Sequence, residues 1–322
     1  MVLESITSLN LAEKHPIALF FTAFIMTTIA MFVSYKLFPS SSAVLTIAFV
    51  TIVFMPLMHN MFKKEEIKEV DEKDIPFAFI ATHFNVIHIY SWIFIGMIVA
   101  YTFWGVALPD NNENCTSFGC FLPAKQDVFL EQYRVHGKIT GKIVGETECF
   151  NEKSKSFGSC FELIFVNNSW VMVLAIIFSL IWGAGAIFLL GWNASVIGLF
   201  LAMEITAKSL DAGIVRALGY LPHGIPEIMA YFIAAIIGGI ISAAISKKTF
   251  QPHELRIVAI DTCLLLLLAT ITLFIGAFIE TASIFNYFDA ALGGIIAFAA
   301  LFFILYIPGV RYKINKIRKE KI

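Results

Sequence analysis

The chain is written as long apolar blocks separated by short polar ones. "PIALFFTAFIMTTIAMFVSYKLF" (16–38) is followed by the turn "PSSS" and by "AVLTIAFVTIVFMPLMHNMF" (43–62). A charged stretch, "KKEEIKEVDEKD", leads to "VIHIYSWIFIGMIVAYTFWGVAL" (86–108). Beyond a long polar segment come "WVMVLAIIFSLIWGAGAIFLL" (170–190) and the shorter "NASVIGLFLAMEITA" (193–207). The last three blocks cover 226–245, 257–279 and 291–310. A helix of about 20 apolar residues crosses a hydrocarbon core about 30 Å thick, so the pattern predicts an all-α, polytopic transmembrane bundle of about eight spans.

Short basic loops give the expected orientation, because lysine and arginine concentrate on the cytoplasmic side. The tail "RYKINKIRKEKI" holds six bases, from Arg311 to Lys321. Lys247, Lys248 and Arg256 flank one loop, and Lys63, Lys64, Lys68 and Lys73 lie in another. All three fall on one side only if 193–207 crosses the membrane, with both termini cytoplasmic. The alternative for that 15-residue block is a re-entrant hairpin. At the other end of the chain, the acidic flank and the length of the first block predict a span and not a cleaved signal peptide.

Composition agrees with a membrane protein: 58% of the 322 residues are hydrophobic and 15% charged. A net charge of −1 excludes a nucleic-acid binder, which needs a basic field. The same topology puts 109–168 outside the cell. Four of the five cysteines lie there, Cys115, Cys120, Cys149 and Cys160, and an even set in such a loop reads as two disulfides. The close C-x-x-C pairs of a zinc site are absent. Asn114 and Asn167 head sequons for N-glycosylation, and "QYRVHGKITGKIVGE" alternates like a β-hairpin. The expectation is a small disulfide-linked extracellular loop domain. Cys263, alone in mid-span, reads as a buried free thiol.

The polar residues inside the spans are the candidate chemistry. "LPHGIPE" (221–227) places His223 four residues before Glu227. Its structural reading is a helix start, with Pro222 and Gly224 forming the approach and Pro226 in the first turn. Glu227 then meets the positive end of the helix dipole. Its functional reading joins Glu227 and His223 to Glu204 and Asp261 as an intramembrane cluster that handles protons or cations. The short 193–207 block, with Gly191 and Asn193 before it, fits the broken helices of transporter sites. Lys208, Asp211, Arg216 and Glu280 lie near block ends and read as interfacial. No H-E-x-x-H, G-x-S-x-G or P-loop string is present, which argues against an enzyme of those types. Neither a metal site nor a cofactor site is expected. Small residues in "WGAGA" (182–186) and "AAIIGGIISAA" (234–244) allow close helix packing, within the monomer or across a homodimer.

"FVNNSW" (165–170), the glycine-rich "WGAGAIFLLGWN" (182–193), "NASVIG" (193–198) and "PHGIPE" together resemble the stage II sporulation protein M family of polytopic membrane proteins. Ala194 stands where that family usually has a glycine. The resemblance covers about 87–282. It implies a membrane core there, with two spans and a charged loop before it (1–86) and a final span and basic tail after it (283–322). Because the bacterial namesake is a scaffold in spore engulfment, the family implies a non-enzymatic scaffold or assembly factor at the cell envelope, recruiting protein partners through the outer loop and tail. The alternative expectation is a secondary transporter or channel using the Glu204, His223, Glu227 and Asp261 cluster.

Overall fold

The computed structural model describes residues 15–71, 83–109, 124–132, 156–183, 185–246 and 252–320. Their elements are helical throughout: α1 (Ile17–Leu37), α2 (Ser42–Asp71), α3 (Phe84–Ala107), the short α4 (Lys125–Val128), α5 (Phe157–Trp182), α6 (Ala186–Ala207), α7 (Leu210–Ser246), α8 (Pro252–Ile284) and α9 (Phe288–Glu320). All but α4 contain a stretch long and apolar enough to cross a membrane, eight in all among the described residues. The chain is a multi-pass helical membrane protein.

Helix α1 shows why such spans lack an apolar–polar alternation. Phe21, Ile25, Ile29, Val33 and Leu37 recur every four residues and are exposed, while Ala23, Thr27, Ala30, Met31 and Ser34 are buried. The outward face meets lipid, so it is as apolar as the inward one. What distinguishes the inner face is size, because small residues let helices approach closely.

Two borders move. The block expected at 170–190 is α5, which begins at Phe157, and "WGAGA" lies between two helices and not inside one. Gly183 ends α5 in the left-handed region (φ +66°), its N–H donating to the Ser179 carbonyl at 2.7 Å. Ser179 Oγ then accepts from the Ala186 N–H at 3.2 Å. A helix ending on a left-handed glycine turns the chain back within three residues. Helix α6 therefore has 22 residues, about 33 Å of rise, and is long enough to cross. It runs unbroken through Gly191 and Asn193, where the Asn193 side chain donates to the Leu189 carbonyl.

The chain divides into two compact units: unit 1, Met1–Pro56, Ile89–Ser156 and Ile187–Leu221; and unit 2, Leu57–His88, Phe157–Ala186 and Pro222–Ile322. In unit 1, Ser34 Oγ and Thr46 Oγ1 share a buried hydrogen bond between α1 and α2, and Trp104 Nε1 donates to Thr28 Oγ1 between α3 and α1. Helices α3 and α6 run parallel in van der Waals contact, because Gly198 admits Tyr101 and Ile98, and Gly105 admits Ala202.

In unit 2, Phe157 stacks with Phe278, Phe285 and Tyr287, locking the start of α5 to the α8–α9 turn. Gly238 lies against the Ile176 carbonyl of α5 and Gly239 against the Phe62 ring of α2, so "AAIIGGIISAA" serves packing within the chain. Residues 230–240 of α7 are buried on every side.

Candidate functional site

"LPHGIPE" is not a helix start. Helix α7 begins at Leu210 and passes through both Pro222 and Pro226, so Pro222, Gly224 and Pro226 are interior. Neither proline can donate an N–H, which leaves the Leu218 and Pro222 carbonyls without their helical donors. Neighbouring helices make such positions tolerable within a membrane. Glu227 is thus nearly five turns inside a helix rather than at a dipole end.

The consequence is a helix face. His223, Glu227 and Tyr231 follow at i, i+4 and i+8 and share one side of α7. Helix α8 approaches that side through Gly276: a Cβ there would lie 2.7 Å from Glu227 Cγ and 3.3 Å from the His223 carbonyl oxygen. One turn further along α8 stands Glu280, whose carboxyl group is within hydrogen-bonding reach of Glu227. The Asn168 side chain of α5 also reaches Glu227. Tyr231 lies in the field of both glutamates and is almost fully buried. Glu227 Oε1 is buried with no hydrogen-bond partner among the described residues.

Two carboxyl groups brought this close can share a proton or an equivalent cation between their oxygens, which is the chemistry such an arrangement offers. Asn168 can donate to the carboxylate that remains. Asn168 and Glu280 were not expected in the cluster: Asn168 reads as a loop residue when α5 is started at Trp170, and Glu280 as an interfacial end. The legible signal was Gly276, four residues before Glu280 on the same α8 face.

The other two expected members sit elsewhere. Asp261 of α8 lies near His83, which is buried. The rise between Asp261 and Glu280, 19 residues apart on α8, is about 28 Å, close to the full hydrocarbon thickness. Glu204 belongs to unit 1, where its carboxylate is 2.8 Å from Lys208 Nζ and 3.9 Å from Arg216 Nε. The Arg216 guanidinium lies over the Phe200 and Tyr220 rings at 5.2 and 5.5 Å. Among the described residues no group of three or more His, Cys, Asp or Glu side chains could hold a metal ion.

Cys160 is buried and disulfide-bonded. Asn114, Cys115, Cys120, Cys149 and nearly all of the expected β-hairpin lie outside the described residues. Asn167 is ten residues into α5, about 15 Å along a span, a poor position for a glycan acceptor. Cys263 is exposed rather than buried, on a face of α8 that meets lipid.

This polar face, set against a glycine and a Phe-x-Asn-Asn helix, lies among the very strings that carry the family resemblance. The sequence profile of stage II sporulation protein M matches residues 17–283. The chain belongs to that family. No curated protein and no solved structure matches it. The stage II sporulation protein M match takes in α1 and α2 as well as the 87–282 core, and it contains Asn168, His223, Glu227 and Glu280. Only the last span and the basic tail follow it.

Proposed function

We propose that this stage II sporulation protein M family member handles a proton or monovalent cation at the Glu227–Glu280 pair, as the ion-binding step of a secondary transporter. One observation carries this reading: Glu227 of α7 and Glu280 of α8 lie together at the close approach made by Gly276, with Glu227 Oε1 buried and unpartnered among the described residues. Ionisable groups within a bilayer are costly, and a pair of like groups adds nothing to packing that leucine would not. Asn168 supplies a polar contact beside it. In this reading both termini are cytoplasmic, and the segment between α3 and α5 is an extracellular loop tied by disulfides, which the bonded state of Cys160 near the start of α5 supports. Asn114 is then its remaining glycosylation site.

The test is charge displacement on a solid-supported membrane carrying proteoliposomes, with jumps in pH or sodium concentration. A transient current is expected, lost in Glu227→Gln and in Glu280→Gln. A silent wild-type protein, or Gln variants that retain the current, would remove the reading.

A second reading is a membrane scaffold or assembly factor that recruits partners through its loop and basic tail. It is favoured by the run 230–240 of α7, enclosed on every side and containing Tyr231 as its largest polar side chain, which is the dry core a scaffold needs. Silence in the current assay together with envelope proteins crosslinked to the loop or tail would support it.

A further inference from the structure

Part of the polar segment between α3 and α5 does not stay at the surface of unit 1. Three contacts follow its course. The Lys125 N–H donates to the Pro109 carbonyl at 2.9 Å, just past the end of α3. The Phe129 ring packs edge-on to Tyr101, 6.1 Å between centroids. Gln132 Nε2 donates to Ser195 Oγ at 3.2 Å. The parallel packing of α3 and α6 sets Gly198 beside Tyr101 and Ala202 beside Gly105, so Ser195 is level with residue 98 of α3. From Pro109 to Tyr101 to that level, the segment descends steadily. Its end lies about 14 Å inside the terminus of α3, counted at 1.5 Å per residue. Half of a hydrocarbon core is about 15 Å.

Burial agrees with descent into the bundle. Val128, Phe129 and Gln132 are 3%, 1% and 1% exposed. Chain that enters a membrane without crossing it is tolerated where protein covers it or where it lines a polar site. Gln132 has the second character. The Ser195 hydroxyl donates its own proton to the Trp192 carbonyl at 2.7 Å, so it can only accept from Gln132. That fixes the amide with its nitrogen toward Ser195 and its oxygen turned away. The oxygen, Gln132 Oε1, is buried with no partner among the described residues, and so is Oε2 of the adjacent Glu131. Both are acceptors, and a buried acceptor left empty forfeits its hydration without compensation.

We propose that Ala124–Gln132 is a re-entrant segment that carries a monovalent-cation position to mid-depth in unit 1, with Gln132 Oε1 as the buried ligand and Glu131 as the compensating charge. Hard oxygen donors suit alkali cations, which bind amide and carboxylate oxygens in place of their water. The position is separate from the Glu227–Glu280 pair and belongs to the other unit.

The test uses the full chain purified in detergent, with its thermal unfolding followed in sodium chloride, potassium chloride or choline chloride at matched ionic strength. A ligand that binds only the folded state raises Tm saturably. Sodium or potassium is expected to do so relative to choline, and Gln132→Leu is expected to abolish the shift. Gln132→Asn, one methylene short, keeps a hydrogen-bonding amide and is expected to raise the half-saturating concentration at least about tenfold. Gln132→Glu, which keeps the oxygen, is expected to retain the shift. Glu227→Gln and Glu280→Gln should also leave it intact, whatever they do to current. The proposal falls if no salt-specific shift exists, which would mean a buried water satisfies Oε1. It also falls if Gln132→Leu and Gln132→Asn shift like wild type, or if the shift disappears in Glu280→Gln.

Discussion

At the scale of single residues, Gly276 decides whether the carboxyl pair exists. It lets α8 approach α7 until Glu227 Cγ lies where a Cβ would be, which brings Glu280 to the same face. Gly276→Ala should push the helices apart and lower stability by about 1–3 kcal/mol, the usual cost of overpacking. Gly224 has nothing within 4 Å of its Cβ position, and neither has Gly219. Alanine at either should stabilise α7 by about 0.5–1 kcal/mol through helix propensity alone. Thermal unfolding of the three variants in one detergent checks the contrast. If Gly276→Ala behaves like Gly224→Ala, the close approach is not sustained. Glu204 contrasts with the pair: its partner Lys208 is largely solvent-exposed, and its pairs with Lys208 and Arg216 resemble exposed ion pairs, worth about 0–1 kcal/mol. Glu204→Gln should therefore change Tm little and leave the current unchanged.

At the scale of elements, what could be read from the sequence depended on whether polarity or size carried the signal. The existence and number of spans were legible, because hydropathy sums over about 20 residues and survives local irregularity. The ends were not. Phe157–Ser169 contains Glu162, Asn167 and Asn168, so it reads as a loop, yet it packs as helix because Phe157, Phe161 and Phe165 stack along α8. The start of α7 was hidden by two prolines that in water would end a helix. Membrane helices keep them, since the backbone has no water to turn to. "WGAGA" was recognised as a small-residue string but not as a turn. Its turn can be tested by itself: nothing lies within 4 Å of a Cβ on Gly183, so substitution there changes only backbone strain. Gly183→Ala should cost about 1–2 kcal/mol, and Gly183→Asn less, since asparagine tolerates the left-handed region. Denaturation midpoints ordered Gly, Asn, Ala would locate the α5–α6 reversal at this residue.

At the scale of the whole molecule, the family and membrane character were legible because they rest on strings and averages, while the site was legible only in part. His223 and Glu227 stood out by chemistry. Their partners Asn168 and Glu280 are distant in sequence and were placed by the packing of α5 and α8 on α7. The redrawn α5–α6 border bears on topology. With α6 at 22 residues and no helix interrupted, eight candidate spans give an even number of crossings. If all eight cross, both ends of the chain face one compartment, and the basic tail leads us to expect that compartment to be the cytoplasm. The same count would set Lys125 on the opposite side from the termini. Epitope tags at the two ends, and a third inserted after Pro123, should show this in right-side-out vesicles: protease removes the inserted tag and spares both terminal ones. Opposite behaviour of the two terminal tags would mean an odd count. The helix to withdraw would then be α6, because among the described elements it is the one joined on both sides by connections of only two or three residues, and a chain that failed to cross there would carry α7 and its carboxyl pair into the membrane with reversed orientation.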